Sequence, residues 1–141
     1  MMPANTVGAS GAQQQNSTPI AQRFKHLIEI VNADHVLLRR GRYLTADIHV
    51  SLGPGAFILS IREGRVTNIE PATRLMRPWT FAVRADAADW LKHWEDPPAP
   101  GWHDLLAMSK RGLVTIEGDL KPFMANLQYI KDVLAAPRLA R

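Results

Sequence analysis

A change of hydrophobic period near residue 43 constrains this chain more than any other feature. Ile20, Phe24, Leu27, Ile28 and Val31 fall at i, i+4, i+7, i+8 and i+11, one stripe along a helix from Pro19 to Asn32. From Tyr43 to Leu52 the spacing becomes two. Leu44, Ala46, Ile48, Val50 and Leu52 alternate with Tyr43, Thr45, Asp47, His49 and Ser51, which describes a strand with one face in a core and one in water. A chain that contains both patterns needs helices laid over a sheet.

The remaining elements follow from capping and turn chemistry. Thr18 caps the first helix, with Pro19 at its favoured first position. A second helical stretch, Asp34 to Arg40, is closed by Gly41; it is either separate from the first or joined to it through a bend. Gly53-Pro54-Gly55 turns the chain into a strand over Phe57–Arg62. Glu63-Gly64 then makes a tight hairpin into a third strand over Arg65–Glu70. Pro71 to Pro78 is a connection to a fourth strand, Trp79–Arg84. Asp86 caps a helix whose apolar face holds Ala87, Trp90, Leu91 and Trp94, with Asp89 in capping-box spacing. Three prolines between Asp96 and Trp102 exclude helix there, and a further helix spans Trp102 to Arg111. Leu113–Glu117 is a fifth strand. Asp119 caps a last helix with Leu120, Phe123, Met124, Leu127, Ile130 and Leu134 on one face, stopped by Pro137. The expected fold class is α+β: a single five-stranded, mostly antiparallel sheet with helices packed on one face.

Residues 1–18 carry no charge and are rich in Gly, Ala, Gln, Asn and Ser, so they read as a flexible tail ahead of a domain over 19–141. They lack the basic and apolar regions of a secretory signal. The chain has no cysteine, which excludes disulfides, thiolate metal sites and a thiol nucleophile. No apolar run is long enough to span a membrane. The net charge of +4 lies in the first half of the domain, where Arg39, Arg40 and Arg42 form the densest basic cluster. Three arginines at a helix end complement its dipole, whereas nucleic-acid footprints cover a whole face, so no nucleic-acid partner is expected.

Catalytic patterns are missing. His26, His35, His49, His93 and His103 form no helical zinc pair, so neither a metal nor a cofactor is expected. There is no nucleophile elbow, phosphate loop or dinucleotide fingerprint. Asp47 and His49 share one side of the first strand, where a carboxylate can orient an imidazole as a general base. On that reading the chain is a small enzyme of the nuclear transport factor 2-like kind. Alternation instead puts the pair on the wet face, and such folds gather their helices ahead of most strands. Trp79, Trp90, Trp94 and Trp102 are concentrated around the proline-rich stretch; together with methionines they either fill a core or line an adaptable apolar cavity.

The phrase Gly112-Leu113-Val114-Thr115-Ile116-Glu117-Gly118-Asp119, a Gly-led strand ending in Gly-Asp before a terminal amphipathic helix, resembles the closing segment of the sterol carrier protein type 2 family. Leu44–Glu70 looks like that family's opening meander, and Phe81–Trp94 like its strand feeding an aromatic-bearing helix. The resemblance covers roughly residues 20–136. It implies an apolar tunnel holding a fatty acid, acyl-CoA, sterol or phospholipid, bound without catalysis. The expected lipid-binding wall is Trp90, Trp94, Trp102, Leu105, Met108, Phe123, Met124 and Leu127. Glu at Met108 or Met124 is expected to abolish binding while the fold survives. Two departures stand out. The prolines of Asp96–Trp102 reshape the tunnel mouth, and Leu139-Ala140-Arg141 is not the peroxisomal Ser-Lys-Leu type, which fits a cytoplasmic address. Expected partners are a lipid or other apolar small molecule, with transient contact to a membrane surface or a lipid-metabolising enzyme, the protein being a monomer or homodimer.

Overall fold

The switch from helical to strand periodicity appears in the computed structural model, which describes residues 18–72 and 78–140, as three short helices followed by a meander. The helices are α1 (Pro19–Lys25), α2 (Leu27–Asn32) and α3 (His35–Arg40). The strands β1 (Ala46–Leu52), β2 (Gly55–Arg62) and β3 (Arg65–Pro71) precede β4 (Phe81–Ala85) and α4 (Ala87–His93). Next come α5 (Leu105–Lys110), β5 (Val114–Gly118), α6 (Leu120–Ala125), α7 (Leu127–Ala135) and a 3-10 turn over Ala136–Leu139. The tail over 1–17 and the connection over 73–77 lie outside the described residues.

The five strands form one sheet in the order β3-β2-β1-β4-β5. It is mixed: β1 runs parallel to β4, and the other pairs are antiparallel. The meander is held by Glu63 and Gly64, both at positive φ (51° and 83°), the geometry a two-residue hairpin demands. A side chain at Gly64 would also strike the backbone of Gly41, at 2.6 Å from its carbonyl carbon. The helices cover one face. Ala46, Ile48, Val50 and Leu52 point into the core from β1, and Phe57, Leu59 and Ile61 from β2. Asn32 ties α2 to the edge strand, donating to the Val66 carbonyl at 2.8 Å and accepting from its N–H at 3.0 Å.

Several boundaries differ from the sequence reading. The stripe from Ile20 to Val31 is continuous, with Phe24, Leu27 and Val31 buried, yet its helix breaks at His26. The last helix likewise breaks at Asn126, whose side chain donates to the Pro122 carbonyl. His26 itself keeps helical backbone angles, whereas Asn126 departs from them (φ −125°, ψ 32°); periodicity sees which face is apolar and is blind to both interruptions. The last α-helix ends at Ala135, as Pro137 requires, and the chain tightens into the 3-10 turn over Ala136–Leu139. The helix expected from Trp102 begins at Leu105, because Asp104 accepts from the Leu106 N–H and so becomes its cap.

The outer face of the sheet is less wet than strict alternation suggests. Ile58, His49 and Ala82 face one another across β2, β1 and β4; Ile58 and Ala82 are buried and His49 is half-buried. The Trp79 ring lies 5.8 Å from the His49 ring and covers part of this row.

Candidate functional site

An aromatic row fills the space between α1, α4 and the sheet. The rings of Phe57 and Phe24 are 5.7 Å apart, those of Phe24 and Trp94 6.3 Å and nearly parallel, and those of Trp94 and Trp90 5.5 Å. Such offset arrangements add roughly 0.5–1.5 kcal/mol per pair beyond area burial. Both buried indoles have partners: Trp90 donates to the Ser51 carbonyl at 2.7 Å and Trp94 to the Leu134 carbonyl at 2.8 Å. The tryptophans are therefore held in orientation as well as buried.

Two pockets flank α1. On one side a volume of about 210 Å³ is lined almost wholly by apolar groups: Ile20, Ala21, Leu52, Pro54, Phe57 and Ala87. Its inner wall, Ala21, Leu52 and Phe57, belongs to the core, and Phe57 is the member of the aromatic row that it touches. On the other side a groove of about 800 Å³ is bordered by Gln22, Arg23, Trp94, Asp96, Arg138 and neighbouring residues. Arg23 donates to the Trp94 carbonyl at 2.7 Å and the Pro137 carbonyl at 3.0 Å, and its guanidinium lies over the Trp94 ring at 5.7 Å. Arg138 donates from Nε and Nη2 to the His93 carbonyl. Burial draws the Arg138 pKa down, opposed by the field of Asp96.

The expected wall residues separate into groups. Trp90, Trp94, Leu105, Met108 and Phe123 are all buried in one core cluster. Trp102 and Leu127 pack against that cluster while partly exposed. The cations of Lys92 (4.9 Å) and Arg111 (4.8 Å) both lie over the Trp102 ring. Met124 stands apart: it is 57% exposed, because α6 turns Phe123 inward and its neighbour outward. Trp94 borders the large groove. Ile20, Phe57 and Ala87, which line the apolar pocket, and Phe24, in the aromatic row, are not among the expected wall residues. Phe24 was legible as a member of the first helical stripe, whereas the meeting of Arg23 with Arg138 has no local sequence signal.

Asp47 and His49 form no dyad. Asp47 pairs with Arg62 at 3.0 Å, while Nδ1 of His49 is buried with no hydrogen-bond partner. Burial, aided by Arg84, lowers the His49 pKa. Both lie on the face opposite the helices, outside the aromatic interior. Among the described residues no three His, Asp or Glu side chains gather as metal ligands, and no helix is long and apolar enough to cross a membrane. In the arginine cluster, Arg42 donates to the Arg39 carbonyl and lies over Tyr43, and Arg40 pairs with Asp132.

An open five-stranded mixed sheet covered on one face by helices, with an aromatic interior, defines the class: an α+β domain of the sterol carrier protein 2 fold. Solved structures place it there. A crystal structure of sterol carrier protein 2 superposes with a TM-score of 0.66 at 15% identity, over 83% of this chain and 94% of that one. A UbiJ-SCP2 ubiquinone synthesis protein gives 0.53 at 18% identity, over 86% and 95%. The sterol carrier protein domain 2 of Helicoverpa armigera gives 0.53 at 16% identity, over 82% and 87%. No family model and no curated protein matches the sequence. The likeness is one of fold, in the order and pairing of elements.

Proposed function

We propose that this domain binds an apolar long-chain ligand, such as a fatty acid, acyl-CoA, sterol or phospholipid, without chemistry of its own. The observation that carries the reading is the apolar pocket between Ile20, Leu52, Phe57 and Ala87, which touches the aromatic row at Phe57. The shared fold with sterol carrier proteins supports it, since those neighbours are named for carrying sterols. Burial supplies the affinity: each methylene removed from water contributes about 0.8 kcal/mol, so a chain binds with few polar contacts.

The pocket is smaller than the roughly 300–1,000 Å³ of ordinary ligand sites. A long chain therefore enters as α1 swings outward. It then lies along Trp90, Trp94, Leu105, Met108 and Phe123, with Trp102 and Leu127 at the margin and Met124 toward solvent. The same domain acts as a carrier, taking its ligand from a membrane surface or handing it to a lipid-metabolising enzyme, in a cytoplasmic setting.

Gentle native mass spectrometry followed by organic extraction tests this reading. A stoichiometric co-purified lipid is the expected result. An apo mass, together with failure to take up a neutral fluorescent lipid probe at micromolar concentration, overturns it.

A further inference from the structure

We propose that the groove between α1, the end of α4 and the terminal 3-10 turn is an oxyanion site that takes a phosphate monoester through Arg23 and Arg138. The two side chains come from opposite ends of the domain and border one groove of about 800 Å³. Each is fixed by two hydrogen bonds, and all four go to main-chain carbonyls: Trp94 and Pro137 for Arg23, His93 twice for Arg138. A carbonyl orients a guanidinium without cancelling its charge. Neither arginine makes an ion pair with a described carboxylate, although Glu95 and Asp96 border the same groove and Asp96 acts on Arg138 through space.

A guanidinium presents five N–H donors in a rigid fork. The bonds to carbonyls engage Nε and Nη2 on each side chain, leaving both Nη1 groups to donate. Two held, partly desolvated positive charges on one groove call for an anion with several acceptor oxygens. A phosphate monoester, with a charge of about −1.5 to −2 at neutral pH, matches both charges at once. Pro19 and Pro97 are exposed on the border of the same groove, so an organic substituent on the phosphate has an apolar surface to rest on. The proposal rests on the preceding reading only where that substituent is an acyl chain; anion binding in the groove is tested separately.

The probes are glycerol 3-phosphate, for a free metabolite, and dodecyl phosphate, for a lipid head group. They are titrated into the full chain at neutral pH while amide and arginine Nε resonances are followed by NMR. Shifts confined to Arg23, Trp94 and Arg138 are expected, with affinity weakening as salt is added. Arg138→Gln should weaken binding about tenfold or more. Because that change also removes bonds to His93, a second variant, His26→Glu, keeps both arginines and adds a negative charge at the exposed rim. It should weaken binding several-fold with the amide spectrum otherwise preserved. Binding of both probes supports a free phosphate ligand, and binding of dodecyl phosphate alone, weakened by His26→Glu, supports a lipid head group. No shift in the groove at millimolar probe, or binding indifferent to both variants, overturns the proposal. A neutral lipid probe that still binds in that case shows that the groove has failed and the apolar reading has not.

Discussion

Phe24 lies against Trp94 with ring planes 19° apart and centroids separated by 6.3 Å, and through this ring Trp94 at the large groove is connected to Phe57 at the apolar pocket. Phe24 belongs to α1 and packs on Phe57 of the apolar side; Trp94 borders the groove that Arg23 and Arg138 face. A movement of α1 therefore alters both pockets together.

Phe24→Ala removes the ring that joins Phe57 to Trp94. The loss of a fully buried ring should cost about 3–5 kcal/mol, read as a lower midpoint in urea unfolding. A neutral lipid probe should bind the variant more tightly wherever it remains folded, because the ring no longer fills the way inward.

Ala87→Phe fills the apolar pocket from its rim. Ala87 is partly exposed at the first turn of α4, so the fold should hold within about 1 kcal/mol while neutral-probe affinity falls about tenfold or more. Unchanged affinity in a fluorescence titration would move the ligand's route elsewhere.

Met108→Glu and Met124→Glu should part company. Met108 is fully buried, and an unpaired carboxylate there is expected to unfold the domain, contrary to the expectation that the fold survives. Met124 is mostly exposed, so its variant should stay within about 0.5 kcal/mol of the parent and keep its ligand affinity. Thermal unfolding of the two variants checks both outcomes.

Gly41→Ala should destabilise strongly. A β-carbon at residue 41 would sit 2.3 Å from Cε1 of Tyr129, whose hydroxyl is anchored by donating to the Gly64 carbonyl. The ring cannot retreat without breaking that bond, so a loss of about 1–3 kcal/mol is expected in denaturant unfolding. Tyr129→Phe in the same background relieves the anchor and should recover part of the loss.

Acid should weaken the fold before the carboxylates titrate. Burial lowers the pKa of His93 below its ordinary value of 6.5, and His49 shifts the same way. With Nδ1 bonded to the Trp102 carbonyl at 2.8 Å, Nε2 of His93 has no partner for a second proton. The unfolded chain then binds more protons than the folded one below about pH 6.5, so stability falls as the pH drops from about 7 toward 5. His93→Asn should flatten part of that slope in urea midpoints measured across the range, and His49 supplies the rest.

Much of this molecule is a local property of its residues. The stripe from Ile20 to Val31 and the alternation from Leu44 to Leu52 dictate an apolar face each, Glu63-Gly64 dictates a hairpin, and Asp34, Asp104 and Asp119 accept the hydrogen bonds that start helices. Short-range geometry settles such features, so the α+β class and the strands could be read from spacing, and the Gly-Asp phrase before the last helix pointed to the sterol carrier protein 2 fold that superposition shows. The tertiary structure alone decided which apolar residues meet. Met124 fits the helical stripe of Phe123, but within that helix the packing buries only Phe123 and leaves Leu120 and Met124 exposed. Phe57, from a strand, joins Phe24 and Trp94 from two helices, and Arg23 reaches Trp94 and Pro137 across the whole chain. Periodicity determines which way a side chain points from its own element; the packing of elements against one another determines what it finds there.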